Sequence, residues 1–121
     1  MPFSFEKLAV YQKSLAWIDR CENLIEDSSR EMTPTQKDQL SRAAMSAALN
    51  VAEANGRWHK AEKRNFFWIA RGSVFECAAL LQILKMRNKI TQKEYEEFFS
   101  HLEEVGKMLA GLIKSVDNLP D

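Results

Sequence analysis

The sequence predicts an all-α fold, an up-down-up-down antiparallel four-helix bundle, and three observations carry that reading. Four long stretches repeat apolar residues at three- and four-residue steps, the signature of a helix with one buried face. Helix start and stop signals fall between the stretches. No segment alternates in the manner of a strand, and no hairpin turn is present. The 121 residues fit a single domain, residues 1–121, with helices over about 5–27, 34–55, 60–87 and 92–117. A helix of about 25 residues is about 37 Å long, and short turns between such helices make neighbours antiparallel.

The first stretch places Leu8, Tyr11, Leu15, Ile18 and Ile25 on one stripe, with a second, offset stripe of Val10, Ser14, Trp17, Cys21 and Leu24. The second opens on Thr33-Pro34-Thr35-Gln36, a Thr N-cap followed by Pro and a capping-box Gln, and stops at Asn55-Gly56. The third runs from Lys60. The fourth opens on a second capping box, Thr91 to Glu94, and carries Tyr95, Phe98, Leu102, Val105, Leu109, Leu112 and Val116 as a heptad-like seam. On it Glu96, Glu97, Glu103, Glu104, Lys107 and Lys114 are free to face water.

Composition excludes several classes. Seventeen basic and 17 acidic residues give zero net charge, unlike a protein that coats a duplex along its length. The longest uncharged run, Ala43 to Ala52, is short of the roughly 18–20 residues of a membrane span, and the charged N-terminal stretch does not read as a signal peptide. No membrane association and a cytoplasmic location are therefore expected. Cys21 and Cys77 lack a paired-cysteine spacing and read as buried thiols rather than redox or metal groups. A di-metal bundle centre needs two Glu-x-x-His pairs and two further carboxylates. Only His101 among the two histidines has carboxylates, Glu97 and Glu104, one turn away, so neither a metal nor another cofactor is expected. Nucleophile-elbow, phosphate-loop and Cys/His catalytic patterns are also missing, and no enzymatic activity is expected.

The second helix has only Ser46 and Asn50 as polar side chains through Ala43–Ala52, and the third spreads Arg71, Ser73, Glu76 and Gln82 around its circumference. Helices apolar all round need burial on more than one side. A homo-oligomer is expected, with Val10, Trp17, Leu24, Met45 and Leu49 at the interface; the alternative is that tilting and long side chains cover these faces within one chain. Asn50, Glu53, Arg71, Ser73 and Glu76 read as a buried interhelical polar network, or alternatively as a ligand site. Gly72, costly inside a helix, reads as a point of close backbone packing.

Arg57-Trp58-His59-Lys60-Ala61-Glu62-Lys63-Arg64 spans the second turn, four cations against one acid with an aromatic among them. Arg57, Lys60, Lys63 and Arg64 would contact phosphates and Trp58 would stack on a base. The competing reading is a solvated turn whose Trp58 covers the core. Lys85, Arg87 and Lys89 form a smaller basic group at the other end, where Glu26, Asp27 and Glu31 would neutralise it.

The run Phe5 to Lys13 (FEKLAVYQK), with Arg42-Ala43-Ala44, Asn50-Val51-Ala52-Glu53 and Ala70-Arg71-Gly72-Ser73 through Glu76, resembles the bacterial four-helix bundle proteins encoded by intervening sequences of 23S ribosomal RNA genes. The similarity extends over roughly residues 3–116 and departs at Ala54-Asn55, where the family often has Gly. The same fold class includes the accessory variability proteins of diversity-generating retroelements, pentameric barrels that bind nucleic acid and a reverse transcriptase. The resemblance implies a homopentamer without enzymatic activity, an accessory or scaffold role around RNA or a ribonucleoprotein, and possible partners of the same kinds.

Overall fold

The computed structural model describes residues 4–120, except for the side chains of Ser4 and Lys7. Residue 3 of the family-like stretch, and the Lys7 side chain within it, lie outside that description. A 3-10 turn at Ser4–Lys7 precedes α1 (Ala9–Glu26), and a second such turn at Ser28–Arg30 leads to α2 (Pro34–Asn55). α3 (Lys60–Met86) and α4 (Gln92–Asp117) complete the chain. Contacts run α1–α2, α2–α3, α3–α4 and α1–α4, so the helices form an antiparallel four-helix bundle.

Both capping boxes form. Thr33 Oγ1 accepts from the Gln36 N–H at 3.1 Å while Gln36 Oε1 accepts from the Thr33 N–H at 2.9 Å. Thr91 and Glu94 repeat the arrangement at 3.1 and 2.9 Å. Each pair satisfies helix-end donors that would otherwise lack partners. At the C-terminus of α2, the Gly56 N–H bonds to the carbonyls of Ala52 and Glu53.

The α2–α3 contact is the most intimate and α1–α4 the least, and side-chain size explains the difference. α2 offers Ala43, Ala44, Ala47, Ala48 and Ala54 to the core, so α3 approaches closely. The α1–α4 seam is filled instead by Trp17, which meets Phe98 edge-on at a centroid distance of 5.9 Å and His101 at 5.5 Å. His101 Nε2 donates to the Lys13 carbonyl at 3.0 Å, which leaves Nδ1 to accept from Arg20 at 3.3 Å. Lys13 closes the seam on Glu104 at 2.7 Å.

Five sequence expectations change here. Val10, Trp17 and Leu24, expected at a subunit interface, are core residues of the single chain, along with Ser14 and Cys21. Leu8, Tyr11, Ile18 and Ile25 pack only partly against that core, and Leu15 is 40% exposed. α1 has two apolar stripes, and the one centred on Trp17 has the bulk to fill the wide gap to α4. Ser14 is accommodated by donating to the Val10 carbonyl at 2.8 Å.

The expected polar network shrinks to its uncharged members. Asn50 donates to the Ser46 carbonyl at 2.8 Å and lies 3.1 Å from Ser46 Oγ, which is 2.7 Å from Ser73 Oγ. Ser73 is also 3.1 Å from the Ile69 carbonyl. Each hydroxyl has one proton, and all these bonds are met when Asn50 donates to Ser46, Ser46 to Ser73 and Ser73 to Ile69. Glu53 and Glu76 are exposed, and Arg71 is half-buried against aromatic rings, because bringing three charges inside would cost more than their pairing returns. Gly72 faces open space rather than a closely packed helix.

α3 departs from the expectation based on uncharged runs. Among the described residues it is the one helix long and apolar enough to cross a membrane, with a mean hydropathy of 1.4 over the relevant window. In the bundle it packs between α2 and α4 and leaves Trp68, Ile69, Phe75, Ile83 and Met86 exposed.

Candidate nucleic-acid interface

The α2–α3 turn is the densest meeting of cations and an aromatic in the fold. α2 stops at Asn55, the chain turns through Gly56 to Trp58, and α3 begins at Lys60 after His59, whose side chain makes no capping bond. Trp58 is 94% exposed, so it does not cover the core. Its neighbours Lys60 and Lys63 line a shallow groove of about 300 Å³ with His59, Leu119 and Pro120, the last two contributed by the chain beyond α4.

Arg57 is the most constrained cation. It pairs with Glu53 one turn earlier at 2.9 Å, lies 3.7 Å from Glu62, and stacks over the Phe66 ring at 4.8 Å. Arg64 points the other way and meets Asp117 at 3.0 Å. Lys63 Nζ approaches the Ala54 carbonyl at 3.4 Å. Three carboxylates thus face four cations, and the turn is less positive than its own eight residues suggest. Glu53, expected in a buried network, is instead brought to Arg57 because only four residues separate them where α2 runs into the turn. Asp117 is 53 residues from Arg64, and only antiparallel pairing of α3 with α4 brings them together. The pairs are exposed, which limits their strength and leaves each arginine able to exchange its carboxylate for a phosphate.

The structure therefore groups Arg57, Trp58, Lys60, Lys63 and Arg64 around one turn. Of the expected interface residues, Met45 and Leu49 are 42% and 62% exposed on α2, away from that turn. The opposite end is dominated by an ionic cluster. Arg30 donates to both Glu94 oxygens, the first at 2.9 Å, and to the Lys89 carbonyl at 3.2 Å. Its Nε lies 3.1 Å from Asp27 without hydrogen-bond geometry. Lys89 donates to the Glu31 carbonyl rather than to a carboxylate, and Lys85 stacks on Tyr95. Among the described residues, the two non-glycine residues with positive φ, Glu31 and Asn88, flank this cluster.

No three His, Cys, Asp or Glu side chains are grouped to hold a metal among the described residues. Cys21 and Cys77 are free and buried in facing parts of the core. Burial pushes both thiols up, Cys77 to about 11, where the approach of the Trp17 indole partly offsets the rise.

Fold and surface together define a small antiparallel helical bundle with an aromatic-bearing basic turn at one end. Residues 6–111 match the family of 23S rRNA-intervening sequence proteins, and the chain belongs to that family. A solved protein of unknown function from the S23 ribosomal protein family of Bacteroides thetaiotaomicron VPI-5482 is similar, at 28% identity over 87% of this chain and 95% of that one, with a TM-score of 0.81. A comparison with curated proteins gives no match.

Proposed function

We propose that this protein is a non-enzymatic accessory or scaffold protein that assembles into a ring and contacts RNA or a ribonucleoprotein through the α2–α3 turn. The observation that carries this reading is Trp58, an indole 94% exposed between cations where neither packing nor hydrogen bonding requires it. An exposed aromatic flanked by cations suits a stacked base with its phosphates. In a ring each copy would add one such turn at the same rim, so a weak local contact is multiplied although the chain is neutral. The family's link to ribosomal RNA genes supports the choice of RNA, and its resemblance to retroelement accessory proteins supports five copies.

The test uses a short fluorescent oligouridine. Wild-type protein is expected to bind it with an affinity that falls as salt rises, since phosphate contacts release counterions. Trp58→Ala should weaken binding by about 1–3 kcal/mol, roughly 5- to 150-fold. Reversing Arg57, Lys60, Lys63 and Arg64 to Glu should abolish it without changing the assembly. Binding untouched by both variants, or none by wild type at low salt, refutes the proposal.

The carboxylates around Arg57 and Arg64 favour a second reading, a module that docks a protein partner without nucleic acid. Co-purification that resists both nuclease and high salt would select it.

A further inference from the structure

Two apolar surfaces remain uncovered on the bundle, and they differ in shape. One is a groove of about 260 Å³ between α3 and α4, walled by Val74, Phe75 and Phe99. Gly106 lines it opposite Val74, where an added Cβ would make ordinary contact with Val74 Cγ1 at 3.7 Å. Arg71 and Lys107 stand on its rim together with one acid, Glu103. Arg71 is held over the Phe75 and Trp68 rings, at 4.5 and 5.3 Å, and neither rim cation pairs with a carboxylate among the described residues. The other surface is a ridge on α1 and α2, where Leu15, Met45 and Leu49 are 40%, 42% and 62% exposed. The exposed acids Asp19 and Glu53 lie along the same two helices.

Internal hydrogen bonds fix the heights of these features. Ser41 bonds to Glu22 at 2.7 Å, which sets Leu15 level with the Leu49 turn of α2. Ser46 lies 2.7 Å from Ser73, which sets Met45 level with Val74, itself opposite Gly106. Ridge and groove therefore stand at one height along the bundle, on the α1–α2 and α3–α4 sides. Their most exposed members, Leu49 and Phe75, are on α2 and α3.

We infer that the ridge of one copy docks in the groove of the next, burying Met45 and Leu49 against Phe75 and Phe99 and bringing Asp19, the ridge acid that Arg57 does not already hold, to Arg71 and Lys107. This rests on the ring reading above and names the surfaces that build it. A second copy is the occupant because this chain itself presents both the apolar complement and the opposite charge. The contact is heterologous, joining unlike patches, so each copy keeps a free groove and a free ridge until the array closes. An interface of ordinary size needs about 800 Å² from each partner, about a tenth of the 7430 Å² surface here.

Light scattering on three proteins tests the pairing. Leu49→Asp spoils only the ridge, and the double variant Arg71→Glu, Phe75→Asp spoils only the groove; all three sites lie at least partly at the surface, and circular dichroism verifies folding. Each variant alone is expected at the mass of one 14.0 kDa chain. Their equimolar mixture should give a species of twice that mass and nothing larger, because one good ridge meets one good groove and neither end can continue. Met45→Glu should behave as Leu49→Asp does. Variants that still assemble, or a mixture that stays single-chain while wild type assembles, overturn this pairing and leave the ring reading standing. Wild-type protein at single-chain mass overturns both.

Discussion

Glu94 serves two structures at once. Its backbone and carboxylate complete the capping box of α4, and the same carboxylate receives the guanidinium of Arg30 from the turn after α1. The Arg30 hydrogen bonds, with smaller help from Thr91, hold its pKa at about 2 against an ordinary 4.5. A depressed carboxylate stabilises the fold fully above its unfolded pKa, and that contribution is lost as pH falls from about 4.5 through about 2. The shift corresponds to about 3 kcal/mol before screening. With the partners 22% and 27% exposed, about 1–2 kcal/mol is expected to survive. Glu94→Gln separates the two roles, because glutamine caps as Gln36 does but cannot pair with Arg30. Urea unfolding at pH 7 should show a loss of about 1–2 kcal/mol for the variant, and the gap to wild type should close by pH 2. A gap that persists at pH 2 would assign the effect to the cap.

The elements show unevenly what the sequence makes legible. Both capping boxes could be read directly, because Thr and a Gln or Glu three residues later act through local geometry. Replacing Thr33 with Ala should therefore cost about 1 kcal/mol in thermal or urea unfolding, and an unchanged stability would show that the Pro34 start suffices alone. The α4 seam was largely plain, with Leu102, Val105, Leu109 and Val116 buried, although Tyr95, Phe98 and Leu112 are only partly so and Ile113, outside the seam as read, is buried too. α1 misled because periodicity locates stripes without saying which partner each one faces. Five residues in its apparent core stripe gave way to the Trp17 stripe, since the decision depends on the width of the gap to α4. The charged members of the supposed network misled for a related reason. Glu53, Arg71 and Glu76 lie on helices rich in small and apolar residues, yet helix rotation turns them outward.

At the scale of the whole molecule, the surface is larger than the core requires. A folded monomer of 14.0 kDa exposes about 6,700 Å² by size scaling, against 7430 Å² here, and Leu49, Trp58, Phe75 and Met86 are each more than half exposed. The excess was foreseeable from two helices without a polar face, and it is the reason assembly enters the functional reading. The turn's charge was less legible. Its cations adjoin in sequence, but Asp117 and the groove wall of Leu119 and Pro120 arrive from the far end of the chain.

The two thiols give the closed core a gauge of its own opening. Cys21 and Cys77, 2% and 0% exposed on different helices, are kept protonated as well as enclosed, so an alkylating reagent finds neither access nor thiolate. Fraying confined to the last turn leaves them untouched, because Cys21 stands five residues inside the end of α1 and Cys77 nine inside the end of α3. Modification by iodoacetamide should then proceed at both sites with a single rate, one that follows the opening equilibrium of the entire bundle and slows wherever stability rises. Peptide mass spectrometry under native conditions should find Cys21 and Cys77 modified at equal rates. Faster labelling of Cys21 would mean that α1 can leave the bundle while α3 stays in it.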